Sequence, residues 1–230
     1  MPKLLIAIYT VLIASSVTYF AVRPASDWHA PVDPFFGLTT EVDNQLPPAL
    51  TAKYQKEIKD LTDQMSQKET ANQYDLDLYY LRAHDEFALG QLKEAFNDYQ
   101  KVIVGDPKNE TAWGNLGDLR IAMGDVNGAE HDYQQSIAAF PDEIAYTKLY
   151  NYYLTYRKAD RADRVEPLLV QAIKDVPGNS ALYVDLARWQ MQRKEYDAAL
   201  NSYREAVQLD PKNTDLNSEM QKAIQLAGSH

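Results

Sequence analysis

The chain has 230 residues, 45% of them hydrophobic and 11% aromatic, enough for one or two domains with a real core and too apolar for disorder throughout. Its formal charge of −10, from 33 acidic and 23 basic residues, argues against a nucleic-acid partner, whose affinity would rest on Lys and Arg neutralising phosphates. With no cysteine, disulfide frameworks, thiolate nucleophiles and cysteine-ligated zinc, haem or iron–sulfur sites are excluded, although the absence fixes no compartment.

From Leu4 to Val22 nineteen residues run without a charge, and as a helix they would span roughly 28 Å, about one hydrocarbon core. Residues 1–23 are therefore expected to form a transmembrane signal-anchor helix. Lys3 and the amino terminus precede it, and Asp27, Asp33, Glu41 and Asp43 follow Arg23, a bias that favours the amino terminus inside and the body outside the cytoplasm. The competing reading is a cleaved signal peptide, with Leu4 to Ile13 as its apolar region and Ala14-Ser15-Ser16 as its small-residue cleavage site. Tyr19, Phe20 and Trp28, placed where an interfacial aromatic belt would be, favour retention.

Residues 24–48 hold five prolines and read as a semi-extended connector. Within it "WHAPVDPFFG" offers Trp28, Phe35 and Phe36 as juxtamembrane docking residues, for the headgroup layer or a neighbouring protein; packing on its own domain is the alternative. Over 49–75, Leu50, Tyr54, Ile58, Leu61 and Met65 make one apolar stripe on an otherwise polar helix, expected to cap the amino-terminal end of the helices beyond it.

Past residue 48 nothing alternates with period two, and apolar residues recur at helical spacing. Pro107, Pro141, Pro177 and Pro211 lie 34, 36 and 34 residues apart. Four residues before each stands Ile103, Ile137, Ile173 or Val207; eight before, Tyr99, Tyr133, Leu169 or Tyr203; twelve before, Ala95, Ala129, Val165 or Ala199. A small residue lets two helices cross closely, an aromatic one turn later fills the space beside it, and proline ends the unit. Such helix hairpins cannot bury their apolar faces alone, so they must stack into a superhelix.

"AWGNLGDLRIAMGDVNGAEHDYQQSIAAFP", residues 112–141, resembles the tetratricopeptide repeat through Trp113, Leu116, Gly117, Gly124, Ala129, Tyr133 and Pro141. Residues 182–211 resemble it through Tyr183, Leu186, Ala187, Ala199, Tyr203, Ala206 and Pro211, and residues 79–107 through Ala83, Gly90, Ala95, Tyr99 and Pro107, with Arg82 where a leucine is usual. The resemblance implies an all-α solenoid of about four repeats (76–109, 110–143, 144–179, 180–213) with capping helices at 49–75 and 214–230, and it identifies the chain as a membrane-anchored member of that family. The third repeat departs most: Thr147 stands in the tryptophan column, Asn151 in the small-residue column and Val165 for alanine. There Asp163 with Glu166 resembles an amino-terminal cap, placing Pro167 in the first helical turn.

His29, His84, His131 and His230 are far apart, without metal-ligand spacing. "GDVNGAE", residues 124–130, falls at a turn and lacks a calcium-loop pattern; no phosphate loop or nucleophile elbow is present, and the carboxylates look scattered over helix surfaces. A non-enzymatic chain without cofactor, metal or small-molecule substrate is expected.

In this family the first helix of each pair lines a concave groove where partner proteins or peptides lie. Helical projection with that facing implies Tyr80, His84 and Phe87; Asp118 and Ile121; Lys148, Tyr152 and Tyr156; and Val184, Arg188 and Met191 as groove residues. The Lys and Asn pairs with which some members clamp a carboxyl terminus are missing, since Lys148 is alone and Tyr152 stands in its partner's column. Of the five tyrosines in 146–156, Tyr146, Tyr150 and Tyr153 share a core-facing side, leaving Tyr152 and Tyr156 for the groove. The sequence supports two readings: a scaffold at the bacterial inner membrane, its repeats in the periplasm (soluble there if the leader is cleaved), or an accessory subunit docked by its transmembrane helix onto a larger integral-membrane enzyme complex.

Overall fold

The computed structural model describes residues 10–11, 19–20, 35, 37–70, 75–157 and 159–228. Two short strands, β1 (Thr10–Val11) and β2 (Tyr19–Phe20), are followed by ten helices: α1 (Pro48–Thr70), α2 (Leu76–Leu89), α3 (Leu92–Gly105), α4 (Glu110–Met123), α5 (Val126–Ala139), α6 (Glu143–Tyr156), α7 (Arg161–Asp175), α8 (Ser180–Gln192), α9 (Tyr196–Leu209) and α10 (Thr214–Ala227). The strands pair antiparallel, Thr10 with Phe20 and Val11 with Tyr19. These four residues are thus extended where a helix was expected, in keeping with the strand preference of β-branched and aromatic side chains. The rest of the anchor segment, together with Trp28 and Phe36, lies outside the described residues. Among the described residues no helix is long and apolar enough to cross a membrane.

Each repeat is a hairpin, α2/α3, α4/α5, α6/α7 and α8/α9, with α1 packed on the first and α10 on the last. Side-chain caps fix several helix starts: Asn109 accepts from the Ala112 amide at 2.9 Å, Asp142 from Ala145 at 2.8 Å and Asn179 from Ala181 at 2.9 Å. Gly90 and Gly124 end α2 and α4 in the left-handed conformation, φ 80° and 86°. The periodic prolines each stand two residues beyond the end of α3, α5, α7 or α9. Ala95, Ala129, Val165 and Ala199 are sealed from solvent, and Tyr99, Tyr133, Leu169 and Tyr203 are buried beside them. Gly117 shows why the crossing needs a small residue: a Cβ there would lie 2.5 Å from the Tyr133 ring.

Three local expectations change. Helix α7 begins at Arg161, so Asp163 is in its first turn and Pro167 in its second. Asp160 sets this start, its backbone oxygen accepting from the Asp163 amide at 3.1 Å and its carboxylate pairing with Arg164 at 2.6 Å. Second, Phe35 is not free to dock on another protein, because it is buried at 9% exposure. Its ring meets Phe96 edge-on at 5.3 Å, with the Lys93 ammonium 5.2 Å from its centre.

Third, the connector around Phe35 docks on its own domain. Residues 37–47 run as a strap along the α2–α3 turn and reach the end of α4. Val42 donates to the Gly90 carbonyl at 3.0 Å, Thr39 to Met123 at 2.9 Å, and the Asn44 amide to Ala88 at 2.8 Å. In return the Thr40 carbonyl accepts the Leu92 and Lys93 amides at 2.9 and 3.1 Å. The strap thereby satisfies carbonyls at two helix ends and amides at a helix start, groups that a helix leaves orphaned.

Candidate functional site: the concave groove

Successive first helices α2, α4, α6 and α8 carry the expected groove residues, and polar bonds tie neighbouring helices along that row. Asn115 donates to the Tyr80 hydroxyl at 3.0 Å. Asp118 accepts the Tyr133 hydroxyl at 2.7 Å and pairs with the Lys148 ammonium. Arg188 grips Glu219 of α10 with two bonds, 3.0 and 2.7 Å, and Tyr203 donates to the same carboxylate at 2.8 Å. Arg188 first, then Tyr203, holds the Glu219 carboxyl below its ordinary range. The cations Lys148 and Arg188 are therefore already neutralised by carboxylates of the chain itself, so a partner carboxylate would have to displace them.

The expected residues divide by accessibility. His84 and Arg188 are more than half exposed as side chains, and Tyr156 is 43% exposed. Tyr80, Phe87, Asp118, Ile121, Lys148 and Met191 are half-buried; Phe87 and Ile121 pack against the core. Tyr152 and Val184, at 3% and 6%, are buried and offer a partner almost no surface. Val184 fills a small cluster with Ala206 and Leu216.

Tyr152 is buried because α6 sits differently from its counterparts. In the other repeats Ala83, Gly117 and Ala187 face inward, and the next residue, His84, Asp118 or Arg188, does not; in α6 Asn151 is exposed and Tyr152 buried. The inward face has shifted by one residue. An aromatic cluster holds it there: Tyr152 lies 5.9 Å from Tyr133, 5.6 Å from Tyr153 and 5.6 Å from Tyr156. Its hydroxyl donates to Glu130 at 3.2 Å, and burial, then the Glu130 charge, pushes its pKa up to about 12. At the end of the row a cavity of about 340 Å³ opens among Arg188, Met191, Gln192, Tyr203, Glu219 and Lys222.

Carboxylates expected on helix surfaces are in several cases buried and paired. Asp98 takes a two-bond grip from Arg82, 2.6 and 3.0 Å, and Arg82 also reaches Thr62 of α1 at 3.0 Å. Asp132 takes Arg120 at 2.6 Å, and Glu130 takes Arg157 and Arg164, each at 2.7 Å. The signal was a polar residue nine before the proline, Asp98, Asp132 and Ser202, each bonded to its own first helix; Ser202 uses Gln190 at 2.8 Å. These are ties within hairpins and, for Glu130 with Arg157 and Arg164, between neighbouring hairpins, rather than a reactive constellation, and no described group of His, Asp and Glu could hold a metal ion.

The family profile described as Tetratricopeptide repeat matches residues 86–151 and 156–217. A curated relative, the heat-shock protein cognate co-chaperone sgt12 of Aspergillus fumigatus, is 31% identical over 99 residues, 43% of this chain; the match spans 29% of that protein's length. Among solved structures, MamA superposes with a TM-score of 0.53 at 19% identity, over 66% of this chain and 82% of that one. The C-terminal part of a TPR repeat-containing protein from Cytophaga hutchinsonii gives 0.59 at 14% identity, over 78% and 72%. At such identities the likeness is one of fold.

Proposed function

The chain belongs to the tetratricopeptide-repeat family, and from that premise we propose that it is a scaffold holding a protein or peptide partner along its concave groove while its amino-terminal segment anchors it in a membrane. The observation that carries the groove reading is the exposure of Tyr156, His84 and Arg188 on the row of first helices, residue types of which Tyr and Arg are the usual bearers of interface energy. Because Lys148 and Arg188 are already paired, the groove suits apolar and aromatic anchors better than a terminal carboxylate. Partner recovery from detergent-solubilised membranes tests this: Tyr156→Ala with His84→Ala should lose the partner that the parent chain captures. An unchanged partner set would count against the groove.

The anchor rests on the nineteen uncharged residues from Leu4 to Val22. Only a helix satisfies its backbone groups within one segment; a lone two-stranded ribbon would leave amides and carbonyls unpaired in hydrocarbon, so insertion requires this segment to be helical. The charge bias around it favours a single pass through the bacterial inner membrane with the repeats in the periplasm. Alkaline carbonate extraction with sequencing of the amino terminus is the test. Retention in the pellet with Met1 first supports the anchor, whereas a chain beginning at Val17 in the supernatant supports a cleaved, soluble form. Docking onto an enzyme complex loses Phe35 as a contact, since that ring is buried against Phe96.

A further inference from the structure

The segment "GDVNGAE", where α4 turns into α5, places Asn127 directly before Gly128, and no other asparagine of the chain precedes a glycine. Attack of the Gly128 backbone nitrogen on Asn127 Cγ would close a five-membered ring. Glycine leaves that attack least hindered, because it has no side chain to shield the nitrogen or restrict the backbone. The fold nevertheless requires glycine here. A Cβ on Gly128 would lie 2.7 Å from Arg120 Nη1 and closer still to Asp125 Oδ2, so a larger residue would displace the carboxylate that caps α5.

Asn127 is exposed in the first turn of α5, and its side chain makes no hydrogen bond among the described residues. Asn109 and Asn179, by contrast, spend theirs on the Ala112 and Ala181 amides. What holds the reaction back is the cap. The Gly128 amide donates to Asp125 Oδ1 at 3.0 Å, the other Asp125 oxygen pairs with Arg120, and Arg120 is tied to Asp132 at 2.6 Å. A nitrogen bonded in this way, on a helical backbone, cannot turn onto Cγ until the first turn opens.

We propose that Asn127 is a site of spontaneous covalent modification, held slow by the Asp125 cap. When the turn opens, the Gly128 nitrogen gives up its proton and bonds to Asn127 Cγ, and the side-chain nitrogen leaves as ammonia. Water then opens the cyclic imide at either carbonyl. One opening gives aspartate, whose charge suits the positive end of a helix. The other gives isoaspartate, in which the chain runs through Cβ and the backbone is one carbon longer. That extra carbon moves the Gly128 amide off Asp125 and uncaps the helix carrying Glu130, the residue that holds Arg157 and Arg164 of the next hairpin. Ageing at this one position thereby loosens the joint between the second and third hairpins.

The test is to incubate the full chain in mildly alkaline buffer and follow its peptides by mass spectrometry and by methylation with an isoaspartyl methyltransferase. The peptide holding residue 127 should convert before those holding Asn179 or Asn201, which serine follows. Asp125→Ala should speed the conversion roughly fivefold, the usual worth of a helix cap read as a rate; Asp125→Asn, which keeps an accepting oxygen, should stay near the parent. The aged chain should melt below Asn127→Asp. Conversion at another asparagine first, or an unchanged rate in Asp125→Ala, overturns the proposal. Should Asp125→Ala fail to fold, the parent unfolded in urea replaces it: a folded parent converting as fast as the unfolded one would show that the cap protects nothing. Equal melting of the aged chain and Asn127→Asp would overturn the loosening of the joint.

Discussion

The Val42 amide donates to the Gly90 carbonyl at 3.0 Å, and a Cβ added to Gly90 would fall 1.9 Å from the Val42 carbonyl oxygen. The strap and the first turn are in backbone contact that only glycine permits. Gly124 ends α4 with nearly the same φ, but nothing lies within 4 Å of its would-be Cβ. Gly124→Ala should cost about 1 kcal/mol for the left-handed backbone alone, and Gly90→Ala at least about 3 kcal/mol because the strap must leave. Urea denaturation of the two variants reads the difference; equal costs would mean that the strap adds nothing to stability.

Gly117 and Tyr133 form a second pair of this kind. Gly117→Ala should destabilise by about 1 to 3 kcal/mol through overpacking against the ring, and Tyr133→Leu in the same chain should recover part of the loss. The third repeat meets the same crossing differently: Leu169 stands in the tyrosine column, and Asn151 of the small-residue column is turned out to solvent. A double-mutant cycle without coupling would contradict the packing described for the hairpin.

Tyr152 behaves as core. Tyr152→Ala should cost about 3 to 5 kcal/mol, the usual range for emptying a large buried aromatic, whereas Tyr156→Ala should leave the melting temperature nearly unchanged. Thermal unfolding of both separates them, and comparable losses would show that the exposed ring is structural too.

Glu86 makes stability depend on pH. Burial first, then the Asp98 charge, pushes its carboxyl from 4.5 up to about 8, against the opposing pull of Arg82, which bonds Asp98 at 2.6 Å and stands 3.6 Å from Glu86; Glu94 raises it further and Lys101 lowers it. The folded state then holds a proton that the unfolded chain releases above pH 4.5. The stability this confers is complete below pH 4.5 and is lost as pH rises through about 8. Glu86→Gln, neutral throughout, should flatten that decline and exceed the parent chain in stability at pH 8 and above. Parallel curves for the two proteins would contradict the assignment.

How much of this was legible in the sequence depended on periodicity. The proline interval and the columns at four, eight and twelve residues before it led directly to hairpins, because every repeat must solve the same crossing problem at the same positions. The buried Asp98 and Asp132 shared one column as well, but their partners Arg82 and Arg120 did not, and a charged residue on a helix gives no sign by itself of which neighbour will cover it. Tyr152 was misplaced because projection onto an ideal helix assumes that every first helix shows the same face inward, and α6 does not. The strap was hidden for another reason: its affinity for the domain comes from backbone groups of helix ends, and those are the same for any sequence.

Whether a partner lies in the groove is best tested by site-specific photocrosslinking in the full chain within its own membranes. A benzophenone side chain at Tyr156, on α6 in the groove row, is compared with one at Val170, exposed on the second helix of the same repeat. A groove-bound partner should give a discrete protein adduct from position 156 and none from position 170. Adducts from 170 with none from 156 would place the partner on the outer surface and contradict the groove.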